Sequence, residues 1–355
     1  MTPARISPSM QAIFLLIAIC LAGFPAQARH GGDTEEDPVY FADPLLKTRV
    51  EVQLGVTDPT AADMLLLTEL NAAGRGISDL TGLEHATNLT RLVLGEFFYY
   101  GVWPPELRKN QIEDISPLSG LTLLISLDLG NNRITDISAL SGLTTLETLT
   151  IYNNQISDIS ALAGLSNLTS LDIENNEITD ITPLSGLTNL KSLILSSNRI
   201  TGVSAFSTMT GLESLSLSRT GLAAIPDLTD LPNLKFLDLV GNQITDISGL
   251  SGMPAIETVT LFGNQITSIT ALSDVPNLQA LGLGVNRITD ISGLSGLTSL
   301  EIVDLTNNQI TAISDLTDLP NLIYMDFQNN QITDISGLAG LPNLFYLILN
   351  RNRIE

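Results

Sequence analysis

The sequence predicts an α/β-type repeat solenoid: a horseshoe of short coils with one parallel β-sheet inside, short 3₁₀ or helical turns outside, and a small helical N-terminal cap. Three observations carry this expectation. Asparagine recurs every 22 residues, at Asn110, Asn132, Asn154, Asn176, Asn198, Asn242, Asn264, Asn286, Asn308, Asn330 and Asn352, with Thr220 the single exception in twelve positions. Before each Asn, apolar residues alternate with an outward one, as in Leu127-Asp-Leu129 and Leu237-Asp-Leu239, which is the period of a strand buried on one face. The 355 residues contain one Cys, so stability has to come from stacked apolar side chains rather than from disulfides.

In chain order, residues 1–28 read as a signal peptide. Arg5 supplies the positive end, Gln11 to Ala22 form an apolar stretch too short to span a membrane comfortably, and Ala26-Gln-Ala28 offers a cleavage site. A rival reading makes Cys20 a lipid-modified residue, but Ile19 stands where such processing favours a small side chain. Residues 29–37 are an acidic linker, and 38–69 a helical cap. In the cap, Asp43-Pro44 opens a helix carrying Leu45, Leu46, Val50 and Leu54 and closed by Gly55; Asp58-Pro59-Thr60 opens a second, shorter one. Residues 70–355 are the repeats, ending inside a repeat at Glu355, which is expected either of a fragment or of an edge that pairs with another chain.

Lines such as Leu168-Thr-Ser-Leu-Asp-Ile-Glu-Asn-Asn176-Glu-Ile-Thr-Asp-Ile-Thr-Pro-Leu-Ser-Gly-Leu-Thr-Asn189 recur with little change. The unit resembles the 22-residue leucine-rich repeat of bacterial internalins and related secreted proteins, over about residues 70–355. The resemblance implies a leucine-rich-repeat horseshoe that binds partners on its inner face; it implies no particular ligand. From the residues themselves, each ladder Asn sits where the chain leaves the sheet, and its amide can satisfy backbone groups that would otherwise be buried unpaired. Ile134, Ile137, Leu140 and Leu143 carry the core across to the outer side. Thirteen strands at about 4.8 Å make a sheet about 60 Å long. A column of Asp79, Asp114, Asp136, Asp158, Asp180, Asp246, Asp290 and Asp334 reads as capping of the outer turns, with no calcium-loop pattern in it.

The repeat breaks at two places. Leu92-Val-Leu94 puts a ladder residue at position 97, yet the insertion 97–109 intervenes, bearing Phe97, Phe98, Tyr99, Tyr100 and Trp103. These rings are expected either to anchor a partner or to close a small local core. Thr220 offers a shorter hydroxyl in place of the amide and predicts a weak point or bend near residues 218–222. Asn88-Leu-Thr90 and Asn167-Leu-Thr169 match the glycosylation pattern as a by-product of the repeat.

A charge of −22 opposes nucleic-acid binding and adhesion to an anionic surface. Two His and one Cys leave little for imidazole or thiol chemistry, so no enzyme, cofactor or metal is expected. The expected function is a non-catalytic protein-binding module, secreted, periplasmic or displayed at the cell surface after cleavage near Ala28. Candidate partner-binding residues on the inner face are Asp128, Tyr152, Asp172, Glu174, Phe236, Asp238, Phe262, Asp304, Tyr324, Asp326 and Tyr346, besides the rings of the insertion. Aromatics amid carboxylates suit a protein or peptide ligand, a basic one best. The competing reading of this face is a solvated surface; the competing functions are a self-assembling scaffold and a targeting arm of a larger protein. A monomer is expected unless the C-terminal edge pairs.

Overall fold

The computed structural model describes residues 37–99, 106–313 and 316–354; the expected signal peptide and most of the acidic linker lie outside them. Within the described residues, a thirteen-stranded parallel sheet runs from β1 (Glu69–Asn71) through β2 (Arg91–Val93) to a last strand at Tyr346–Ile348. Successive strands pair at the repeat step, as in Asp128, Thr150 and Asp172. One step is longer: Leu92 pairs with Leu127, so the insertion leaves the stack without displacing it.

Each strand of this sheet before the last buries its middle residue in the core, and Leu149, Leu171 and Leu193 are fully buried. The alternation read in the sequence thus becomes one apolar wall continued by Ile134, Ile137, Leu140 and Leu143. The outer side consists of short 3₁₀ turns such as Ser138–Leu140 and Ser160–Leu162. The aspartate column caps these turns from one position upstream of the helical N-cap. Asp136 accepts the Ser138 N–H at 2.8 Å and Asp158 the Ser160 N–H at 2.8 Å, while the N-cap residues are isoleucines.

The N-terminal edge is covered by α1 (Pro44–Leu54) and α2 (Ala61–Met64). Asp43 caps α1 by accepting the Leu45 N–H at 2.8 Å, and its other oxygen accepts the Ser78 N–H at 2.8 Å. One carboxylate therefore starts the helix and ties it to the first coil. Leu46, Val50 and Met64 are fully buried beneath, whereas Leu45, expected on the same face, is half exposed.

The asparagine ladder holds the coils to one another. Asn176 donates from Nδ2 to Ile173 O in its own coil and Ile151 O in the previous one, both at 3.1 Å. Its Oδ1 accepts the Ile156 N–H at 3.1 Å. Asn110 does the same across the insertion, donating to Leu94 O at 2.7 Å and Ala72 O at 3.0 Å, so the ladder restarts in register. A second, outer ladder escapes the sequence reading: Asn167, Asn189 and Asn233 donate to Thr144, Ser166 and Thr210 carbonyls of the preceding coil at 2.8–3.0 Å. Asn88 likewise bonds Leu65 O, so both apparent glycosylation asparagines serve the stack.

From Asn132 onward the residue before each ladder position is left-handed, and this explains the recurrent Asn-Asn pair. Asn131, Asn153 and Asn175 have φ of 60°, 51° and 50°, a region asparagine tolerates better than other side chains. Val285 occupies the same position at φ 55°, where a branched side chain is strained. At Thr220 the sheet keeps its register, with Leu215 pairing to both Leu193 and Leu237. The hydroxyl reaches acceptors in its own coil and the next one, Leu217 O at 2.7 Å and Asn242 Oδ1 at 3.2 Å, and none in the coil before. Leu195 O loses the cross-coil donor, and the Ile200 N–H lacks the ladder acceptor that Ile178 finds in Asn198. The expected weak point is thus two missing hydrogen bonds, with no break in pairing.

Two stability outcomes follow from these geometries. Thr220→Asn, which restores both bonds, raises the unfolding free energy by about 1–2 kcal/mol in urea titration and slows exchange of the Ile200 amide. Wild-type exchange at Ile200 as slow as at Ile178 would contradict the missing bond. Val285→Asn relieves the strained φ and adds about 1 kcal/mol; a neutral or negative change would show that the neighbouring packing sets that position.

Candidate functional site

The inner face is built by strand residues whose side chains alternate away from the core. Its centre column holds Asp128, Asp172, Asp238, Asp304 and Asp326, all half-buried. Each accepts the N–H two residues on, from Gly130, Glu174, Val240, Thr306 and Gln328, at 2.9–3.1 Å. These carboxylates close the strand exits before they meet any ligand, a role the sequence reading did not assign to them. Asp238 is engaged furthest: Ser216 and Thr260 donate to it at 2.8 Å and Ser218 also donates. Burial pushes its pKa up, but these hydrogen bonds outweigh burial and hold it below the usual carboxylate value.

Toward the N-terminal end, the face is acidic and closely packed. A Cβ at Gly95 would stand 2.6 Å from the Asp128 carboxylate, and one at Gly130 would stand 2.5 Å from the Tyr152 ring. Both side chains thus lie over neighbouring glycines. Glu96 accepts a hydrogen bond from Asn131 and another from the Tyr152 hydroxyl. Burial, that bond and the surrounding carboxylates raise the tyrosine pKa strongly. Burial raises Asp128, with the charges of Glu96 and Asp172 adding to it; burial also raises Asp172 and Glu174, Glu174 being lifted further by Asp172 and Asp238 and partly relieved by Arg219. Tyr152 is therefore held in a network and presents a ring edge more than a free anchor.

The C-terminal half is different in character. Phe236 stands in one column with Thr258, Ala280, Ile302, Tyr324 and Tyr346. Phe262 lies across Gly284, where a Cβ would stand 2.7 Å from its ring. Ile302, Tyr346 and Phe345 are 47%, 57% and 76% exposed, and Ile323 is exposed beside them. Phe345 and Tyr346 meet edge to face with centroids 4.7 Å apart, and Tyr324 and Tyr346 are 6.3 Å apart. Ile302, Ile323 and Phe345 were not singled out in the sequence; their place in the 22-residue register beside Tyr324 and Tyr346 is the signal that marks them.

The insertion has a paired base. Strands β3 (Phe97–Tyr99) and β4 (Glu106–Arg108) form an antiparallel hairpin, Phe98 opposite Leu107, outside the main sheet. Tyr100 and Trp103 lie outside the described residues, and for Phe97, Phe98 and Tyr99 only the backbone is described. Among the described residues no group of His, Cys, Asp or Glu is arranged to hold a metal, and no helix is long and apolar enough to cross a membrane.

The raised carboxylates set a pH dependence. A carboxyl whose folded pKa exceeds its unfolded one keeps a proton that the unfolded chain has released, so its stabilisation is present below the unfolded value and lost as pH rises through the folded one. Asp172→Asn, which keeps an oxygen for the Glu174 N–H, should therefore raise the melting temperature at pH 7 more than at pH 4. Asp246 and Asp334, whose pKa values are lowered by their turn hydrogen bonds, act with the opposite sign, stabilising above the unfolded value and losing that as pH falls. A difference between wild type and Asp172→Asn that is constant with pH would remove burial of Asp172 as the cause.

Comparison with known proteins agrees with this architecture. Models of leucine-rich repeats match residues 106–142, 144–186, 232–274 and 276–318, and a further leucine-rich-repeat model matches 166–222 and 298–354. The internalin InlF of Listeria monocytogenes is similar at 34% identity, covering 89% of this chain and 91% of that one, with a TM-score of 0.80. A leucine-rich-repeat protein of Leptospira interrogans shares the fold at 23% identity, covering 83% and 81% of the two chains, with a TM-score of 0.69. The functional domain of InlJ from Listeria monocytogenes shares it at 23% identity, covering 88% and 70%, with a TM-score of 0.63. No curated protein sequence matches significantly. The chain belongs to the leucine-rich-repeat family and is an internalin-like member of the bacterial kind.

Proposed function

We propose that the protein is a non-catalytic binding module that works outside the cytoplasm, delivered there by the leader at residues 1–28, and that it docks a protein or peptide on its inner face. One observation carries the reading: an apolar strip of Phe236, Phe262, Ile302, Ile323, Phe345 and Tyr346 stays exposed along the C-terminal half of the sheet. Exposed apolar clusters of this kind are costly unless something covers them. The strip is bordered by Glu301, Asp304 and Asp326. Rings for burial with carboxylates at the rim favour an extended segment carrying both apolar and basic side chains. A rigid parallel sheet presents these groups without an ordering cost on the receptor side. An open curved face with its acids held in strand-exit turns offers no enclosed site for chemistry.

The test is a selection of displayed peptides on the intact protein. Enriched peptides should carry Lys or Arg beside an aromatic or aliphatic residue, and lose affinity by about tenfold or more for Tyr324→Ser/Tyr346→Ser and for Phe236→Ser/Phe262→Ser. Those exposed substitutions should leave the melting temperature within a few degrees of wild type. Peptides that lose affinity only for Phe98→Ser/Tyr100→Ser/Trp103→Ser would move the site to the insertion. Unchanged binding by all three variants would end the inner-face reading.

A further inference from the structure

Sixteen Lys and Arg stand against 38 Asp and Glu in this chain, yet four of the cations line one pocket of about 450 Å³ between the cap and the first coils. They are Arg49 of α1, Arg75 of the turn after β1, and Arg108 and Lys109 at the foot of the insertion hairpin. The rest of the lining is Leu45, Thr48, Gly74 and Gly76, so among the described residues no carboxylate lines it. From this geometry we propose that the pocket is a binding site for a tetrahedral dianionic oxyanion, free phosphate or sulfate or the phosphate group of a monoester. This site is independent of the inner-face reading.

The side chains are arranged for such a ligand. Arg49 donates from Nε and Nη2 to Asn71 O, at 3.1 and 2.7 Å, which fixes the guanidinium plane and leaves its remaining N–H groups for another acceptor. The carbonyl it holds is neutral, so the charge stays uncompensated by that contact. Burial, and next to it the positive charge of Arg75, hold the Arg49 pKa below its ordinary value. Two guanidiniums kept close enough to disfavour each other without a carboxylate between them is the pattern an anion relieves. Arg75 and Lys109 form no side-chain hydrogen bond or ion pair among the described residues.

The backbone leaves room for it. The Arg75 and Ile77 N–H groups both donate to the ladder residue Asn110, at 2.9 and 3.0 Å, which pins the turn on either side of Gly76. Gly76 has φ +82°, and a Cβ there would meet nothing closer than Leu45 Cδ1 at 3.8 Å. The turn is thus held in place by the ladder while its glycine keeps the pocket mouth open. Two positive forks and an ammonium from three separate segments suit a group with several oxygens and two charges better than a single carboxylate.

The experiment follows the melting temperature of the intact protein, with affinity by calorimetry, at constant ionic strength. The arms are sodium phosphate, sodium sulfate, glucose 6-phosphate and vesicles containing phosphatidic acid. At least one arm should stabilise saturably, and Arg75→Gln/Lys109→Gln should weaken that binding by about tenfold or more. The control Arg199→Gln/Arg287→Gln removes the same charge elsewhere and should leave it unchanged. Without anion, Arg75→Gln should stabilise by relieving Arg49; with saturating anion the order should reverse. Binding by the simple salts assigns a free ion, binding by the sugar ester alone a soluble monoester, and binding by the vesicles alone a lipid headgroup; each supports the site. A response that is linear in salt, equal in both double variants, or missing in every arm overturns it.

Discussion

A chain that leaves a parallel sheet every 22 residues exposes, at each exit, backbone groups that point into an apolar interior. The architecture depends on satisfying those groups, and asparagine does so because one side chain both donates and accepts. The result reaches beyond local capping, since each amide bonds carbonyls of two coils and accepts from the earlier one, as Asn176 does with Ile151, Ile173 and Ile156. Hydrophobic stacking alone would let coils slide; the amides fix their register. This is why the insertion after β2 is tolerated. Asn110 returns to the carbonyl of Leu94, and the next strand pairs as though nothing had intervened. Interactions in such a stack are between neighbours, so the defect at Thr220 stays local.

The same periodicity divides the molecule into positions that are constrained and positions that are free. Core leucines and ladder asparagines cannot vary without cost, whereas residues that point off the sheet can. Within that freedom the acids and the rings behave differently. Aspartates of the centre column bond the N–H two residues on, which makes them part of the strand exit and lowers their availability to a partner. Rings settle where a neighbouring coil lacks a side chain, Tyr152 over Gly130 of the coil before and Phe262 over Gly284 of the coil after. A Gly at one coil thus makes room for an aromatic on the adjoining one.

The sequence made the fold legible because its two signals reinforce one another: alternation identifies the strand, and the 22-residue recurrence identifies which strand lies beside which. The helical cap was legible through Asp43-Pro44 and Gly55, since capping chemistry is local. Other features depend on geometry that residue type leaves open. The left-handed residue before the ladder Asn residues from Asn132 onward follows from the path of the turn, and Val285 shows that composition alone does not reveal it. The outer ladder at Asn167, Asn189 and Asn233 was hidden in a position that reads as polar surface. The bond from Tyr152 to Glu96 joins residues on opposite sides of the insertion, a separation no periodic argument spans.

Net charge is the clearest case of an average that misleads. A total of −22 argues against anionic ligands only if every charge acts everywhere at once. At physiological ionic strength exposed charges are screened over about 8 Å, under two strand spacings of about 4.8 Å. In a solenoid, where distant coils never fold back, each site therefore responds to the few coils beside it. Arg49, Arg75 and Lys109 lie far apart in sequence and meet only because the cap helix packs on the first coil and the ladder brings the chain back at Asn110. The acids of the later inner face are too many coils away to neutralise them. The link that aligns coils thus also keeps an acidic inner face and a basic pocket on one stack, each with its own local field.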